Sequence, residues 1–117
     1  PATFPLGATI VTFSTTDSGG NTGTAQATVT VTDQGVPVVT EPADIKVEST
    51  EARGTSASDA AIAAFLAAAT ATDNVDLTLT ITNDAPATFP VGATIVTFST
   101  TDSGGNTGTA QATVTVQ

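Results

Sequence analysis

The side chains that could do chemistry in this chain are almost all oxygen donors. Eleven Asp and Glu stand against two cations, Lys46 and Arg53, for a formal charge of −9, and there is no His, Cys, Met, Trp or Tyr. Without His or Cys, the commonest general base, the thiol nucleophile and the soft-metal ligands are missing, which argues against an enzyme. What carboxylates and amide oxygens do supply is the ligand set of a hard divalent cation, above all Ca2+. They gather in Asp73-Asn74-Val75-Asp76 and in Asp102-Ser103-Gly104-Gly105-Asn106. The same residues have a plainer use, because Asp ahead of Gly-Gly-Asn, or ahead of Asn, satisfies the backbone donors of its own turn. The negative surface repels phosphate backbones and anionic membranes, so neither nucleic acid nor a lipid surface is an expected partner. Acidity of this kind also keeps a long polymer soluble.

These residues have to be positioned by β-strands. Thr makes up nearly a quarter of the chain, with Ala and Val dominating the rest. Thr and Val are β-branched and suit strands. Ala8–Asp17 and Thr24–Thr32 read as a β-hairpin around the turn 18–23. In its second arm Ala25, Ala27, Val29 and Val31 alternate with Gln26, Thr28, Thr30 and Thr32, a period of two that gives one inward face. The segment 36–50 predicts two short strands broken at Pro42, as on an edge that changes partner. Asp76–Asp84 predicts a further strand with Leu77, Leu79 and Ile81 on one face. Between them, the Ala-rich run 56–73 predicts a helix from Asp59 to about Ala68, capped by Ser56 or Ser58. Ile62, Phe65, Leu66 and Ala69 would seat that helix, and Ala69–Asp73 would return to strand. Short alternating strands separated by turn signals give an all-β sandwich.

The hairpin occurs twice. Residues 1–31 return at 86–116, an offset of 85, with only Leu6 replaced by Val91. A near-verbatim period of this length marks a tandem-repeat array. The expected organisation is therefore a C-terminal hairpin of a preceding repeat at 1–32 and one complete repeat at 33–117. Cut from its own module, the first hairpin would expose Val11, Phe13, Val29 and Val31, and an isolated hairpin is marginal in water. The five-residue linker Asp33–Pro37 reaches at most about 17 Å, whereas a strand of seven or eight residues is about 25 Å long. Head-to-tail stacking is thus favoured over exchange of the two hairpins within one chain. Exchange between chains has no such limit.

The order of signals resembles a hyalin-repeat (HYR) module, an immunoglobulin-like extracellular domain. The residues that carry the resemblance are PVVTEPADIKV near the start, ATATDN in the middle and TFPVGATIVTFSTTDSGGNTGTAQATVTV at the end. It covers roughly 36–117, whereas 1–31 match only its final third. One departure stands out: Glu41 and Ala110 occupy places where the animal family typically carries Cys, so its usual disulfide is absent here, as it is in many bacterial relatives of this type. The resemblance implies an immunoglobulin-like β-sandwich at an extracellular or cell-surface location, a bacterial or archaeal source, and no enzymatic activity. In such a sandwich the loop bearing Asp73, Asn74 and Asp76 and the last turn, with Asp102 and Asn106, lie at one pole. The linker brings Asp33 there, so these six residues form the candidate Ca2+ site at a module junction.

The expected function is that of a structural repeat module, a spacer or stalk in a long fibre or adhesin, whose partners are neighbouring copies of itself. Two alternatives compete. One is a filament subunit that exchanges strands through Val11, Phe13, Val29 and Val31. The other is an adhesive module that binds carbohydrate with the help of Ca2+. Lys46, with Asn83 or Asn106, could in principle form an isopeptide bond, but Lys on an edge strand more simply blunts aggregation.

Overall fold

A computed structural model describes residues 2–117. The chain divides into two compact units, the first running to Gln34 and the second spanning Gly35–Gln117. The first unit is a single hairpin of β1 (Gly7–Thr16) and β2 (Thr22–Val31), in register from Gly7↔Val31 to Thr16↔Thr22. Its two arms are the predicted ones, displaced by one or two residues at their ends. Among the described residues, β1 and β2 pair only with each other.

The second unit holds β3 (Val38–Thr40), β4 (Ile45–Val47), β5 (Thr55–Ser56), α1 (Ala60–Ala67), β6 (Thr70–Thr72), β7 (Thr82–Asn83), β8 (Thr88–Phe89), β9 (Gly92–Thr101) and β10 (Thr107–Val116). The central sheet has the order β4-β10-β9-β7, with β4 parallel to β10 and the other pairs antiparallel. One face of β9–β10 supplies Val96, Phe98, Ala112, Val114 and Val116 to the core. Val39 of β3, Ile62 and Phe65 of α1, and Phe89 of β8 close over that face. Phe65 meets Phe98 edge-on, with ring centroids 5.8 Å apart and planes at 62°, the geometry that aromatic quadrupoles favour. The unit is thus the expected all-β, sandwich-like fold with one short helix.

Pro42 divides β3 from β4 as the sequence implies, and the two strands take different partners. β3 pairs with β6, while β4 lies at the sheet edge with Lys46 exposed on it. The helix forms where Ala predominates and buries Ile62 and Phe65. Its cap differs from the expected Ser: Asp59 is the N-cap, and its carboxylate accepts from Ala61 N–H at 3.1 Å. Ser56 Oγ instead accepts from Ser58 N–H and bonds with Ser58 Oγ.

The predicted strand Asp76–Asp84 is corrected to its last two residues before Asp84, Thr82 and Asn83. Leu77 is fully exposed rather than inward, and Leu79 and Ile81 are half-buried. The cause is competition for backbone groups. The Thr80 carbonyl accepts from Thr100 Oγ1 at 2.7 Å, a side-chain bond at a position where a ladder would need the main chain. One pairing, β5 with β8, had no sequence signal of its own. There Gly54, at φ +129°, passes so close to Phe89 that a Cβ would overlap the Phe89 carbonyl oxygen.

Candidate functional site: the acidic loops of the repeat

The last turn is built by one carboxylate. Asp102 Oδ1 accepts from Gly104 N–H and Asn106 N–H, both at 2.9 Å, and from Asn106 Nδ2 at 3.2 Å. Its Oδ2 accepts a second bond from Asn106 Nδ2 at 3.0 Å. The Asp102 N–H donates to the Asn106 carbonyl at 2.9 Å, and Gly105, at φ +86°, returns the chain. Asp102 is buried, so these donors replace the water it has lost. Asp102 and Asn106, both named as ligand candidates, therefore have a structural use in the turn. The first unit repeats the arrangement bond for bond: Asp17 Oδ1 accepts from Gly19 N–H and Asn21 N–H at 2.9 Å. Hydrogen bonds from the Asn21 backbone and side chain, and from the Gly19 backbone, hold the Asp17 carboxyl below its ordinary value.

The second loop is organised by Asp73. Its Oδ2 accepts from Val75 N–H at 3.1 Å and Asp76 N–H at 3.0 Å, the turn-closing role expected of Asp before Asn. Its Oδ1 is buried and has no hydrogen-bond partner among the described residues. Asp76 reaches the last turn, with Oδ2 accepting from Ser103 N–H and Oδ1 from Ser103 Oγ, both at 2.8 Å. A carboxylate oxygen of Asp73 lies within 4.8 Å of one of Asp76. Asn74 turns its amide toward Gly35, where an added Cβ would come within 2.7 Å of Asn74 Oδ1. Asp33 follows β2 in the first unit and is half-buried.

The structure therefore brings the 73–76 loop and the last turn together, through a residue that sequence reasoning passed over. Ser103 lay within the Gly-rich turn and was not named among the site residues. Asp44 and Asp84 were also missed as acceptors: Asp44 Oδ1 takes Thr113 N–H at 2.9 Å and Asp84 Oδ1 takes Thr97 N–H at 2.8 Å. Each pins a segment to the edge of β10 or β9. Asn83 Oδ1 accepts from Ala85 N–H, which together with the exposed Lys46 fits ordinary loop and edge roles. No helix among the described residues is long and apolar enough to cross a membrane.

Fold, turn architecture and internal duplication define a disulfide-free β-sandwich repeat module. The chain belongs to the HYR domain family, which matches residues 38–116. It is 36% identical over 117 residues to hyalin of Lytechinus variegatus and 34% identical over 116 residues to hyalin of Strongylocentrotus purpuratus. Each alignment covers 97% of this chain, but only 21% and 9% of those relatives. Both are sea-urchin proteins and lend no support to the expected bacterial or archaeal source. No solved structure matches the chain.

Proposed function

We propose that the chain is a spacer module of an extracellular fibre or adhesin, joined head to tail with further copies of itself. The observation that carries this reading is where the chain enters and leaves the Gly35–Gln117 unit. It enters at Pro37, whose carbonyl lies against Gly108 so closely that a Cβ there would overlap it. Gly108 stands at the start of β10. It leaves at Gln117, just past the end of β10, where Gln117 N–H donates to the Val47 carbonyl and Ser49 N–H to the Gln117 carbonyl. Entry and exit thus lie at opposite ends of one strand, roughly 26 Å apart at about 3.3 Å per residue. A module threaded lengthwise adds length each time it is repeated, which is the work of a stalk. Membership in the HYR family and the 85-residue period support the same reading.

Tandem chains of two, four and six 85-residue repeats test it by small-angle X-ray scattering. The maximum dimension should rise by a constant increment per repeat. Compaction to a globule with added repeats would contradict the spacer reading.

A Ca2+ role within this function is favoured by one specific observation, the buried and unpartnered Asp73 Oδ1 beside Asp76. Oxygen donors of this type suit Ca2+. We propose that the ion binds at the 73–76 loop and stiffens it against the last turn. Calorimetric titration with CaCl2 should give a saturable heat and a raised melting temperature, both lost in Asp73→Asn. Absence of heat with an unchanged melting temperature would rule the ion out.

A further inference from the structure

Tension on the Gly35–Gln117 unit runs along one line. A chain drawn out lengthwise pulls on Pro37, beside the start of β10, and on Gln117, just past its end. β4 runs parallel to β10, in register from Val114↔Ile45 to Val116↔Val47. The pull therefore reaches β4 along its own axis in one direction and β10 along its axis in the other. Ladder hydrogen bonds run from strand to strand, across that axis. The two strands can slide apart only by stretching all of their bonds together. An antiparallel hairpin held by its two open ends instead parts bond by bond.

The seam between β4 and β10 is reinforced at both ends. Ahead of β4, Thr113 N–H donates to Asp44 Oδ1 at 2.9 Å. Beyond it, Gln117 N–H donates to the Val47 carbonyl at 2.9 Å and Ser49 N–H to the Gln117 carbonyl at 2.8 Å. Val114 and Val116 are buried, and Ile45 and Val47 pack against the same core, so apolar side chains screen one side of the seam from water. β3 comes earlier on the line of tension, but it is held to β6 by three residue pairs, Val38↔Thr72 to Thr40↔Thr70. The opposite edge of the sheet lies off that line. There β7 pairs with β9, and Asp84 Oδ1 accepts from Thr97 N–H at 2.8 Å.

We propose that the β4–β10 seam is a mechanical clamp, which keeps the module folded under lengthwise pull and sets the force at which it gives way. The proposal rests on the spacer reading, because a chain joined head to tail is what delivers tension at Pro37 and Gln117. Forced unfolding is governed by the barrier to unfolding and not by equilibrium stability. What counts is therefore how many bonds the decisive rupture must break at once. β3 leaves first, and its release passes the tension to Asp44 and β4. There three ladder pairs and three flanking bonds share it. A stalk clamped in this way holds its spacing while it is pulled, where one opening strand by strand would lengthen.

Single-molecule force spectroscopy on the full chain tests this, with handles on introduced thiols that are unique because the chain has no Cys. Handles at Gln34→Cys and Gln117→Cys shear the seam. Handles at Arg53→Cys, on the exposed turn closed by the Glu51–Gly54 bridge, and at Gln117→Cys stand at the same end of it. They peel it from the Ser49 bond onward. At equal loading rate the sheared pair should unfold at no less than about twice the force of the peeled pair. Asp44→Ala should lower the shear force. Asp84→Ala removes a like bond off the line of tension and should leave that force in place. Equal forces in the two geometries, or an equal response to Asp44→Ala and Asp84→Ala, would overturn the clamp. Neither result touches the scattering increment per repeat, whereas compaction in scattering removes the spacer reading and leaves the measured forces as they are.

Discussion

Two stretches with one sequence meet different ends in this molecule. β1–β2 and β9–β10 share register, turn and cross-strand bonds: Thr16 bonds Thr22 as Thr101 bonds Thr107, and Gln26 donates to Thr12 as Gln111 donates to Thr97. What the second copy has in addition is a cover of α1, β3 and β8 over its apolar face, and β4 and β7 along its edges. Hairpin geometry is thus a local property of these residues, whereas burial depends on the 50 or so residues that precede the hairpin in its own module. Since burial of apolar area is the main favourable contribution to folding, the two copies should differ sharply in stability despite their identity.

Matched substitutions break or sharpen that comparison. The largest effect belongs to the Phe pair. Phe98→Ala should destabilise the second unit by about 3–5 kcal/mol, enough to unfold a domain of ordinary marginal stability. Phe13→Ala should change it by no more than about 0.5 kcal/mol. Urea denaturation of the two variants reads both values. Next comes the Gly pair: a Cβ at Gly108 overlaps the Pro37 carbonyl, but one at Gly23 meets nothing within 4 Å. Gly108→Ala should therefore cost about 1–3 kcal/mol through forced backbone shifts, with Gly23→Ala leaving the melting curve in place.

The turn carboxylates come third. Asp102→Ala removes the buried acceptor of the Gly104 and Asn106 N–H groups, with both Asn106 side-chain bonds, and should cost about 1–3 kcal/mol. The exposed groups freed by Asp17→Ala are taken up by water, and the melting temperature of the second unit should stay fixed. The smallest effect is one of pH. The folded-state value of Asp17 is lowered below 3.8 by the Asn21 and Gly19 hydrogen bonds. Its stabilisation of the turn is accordingly present above the unfolded value and lost as pH falls through the depressed one. An NMR titration of the Asp17 carboxyl should place its midpoint below 3.8, with the Asn21 amide shift following it; a midpoint at or above that value would break the turn assignment.

How much was legible in the sequence follows from how local each determinant is. Both hairpins were readable because strict alternation and an Asp-Ser-Gly-Gly-Asn turn act over a few residues. The helix was readable from its Ala content, but its cap was misplaced because Ser56 and Ser58 satisfy each other and leave Asp59 to meet Ala61. Leu77–Ile81 has the alternation of a strand without being one. Asp76 is held by Ser103 and the Thr80 carbonyl by Thr100, contacts 27 and 20 residues away that no local pattern announces. The same distance hid Ser103 within the candidate site, though the turn functions of Asp73 and Asp102 were foreseen from their neighbours.

The difference between the two copies can be measured without any substitution. Amide hydrogen exchange resolved by NMR is suited to it, because identical neighbours give paired amides the same intrinsic exchange rate, and any difference is protection by structure. We expect the Val96, Phe98 and Val114 amides to exchange at least about 100-fold more slowly than those of Val11, Phe13 and Val29, with protection approaching the global stability of the second unit. Equal protection in the two hairpins would contradict the view that cover, and not sequence, decides their fate.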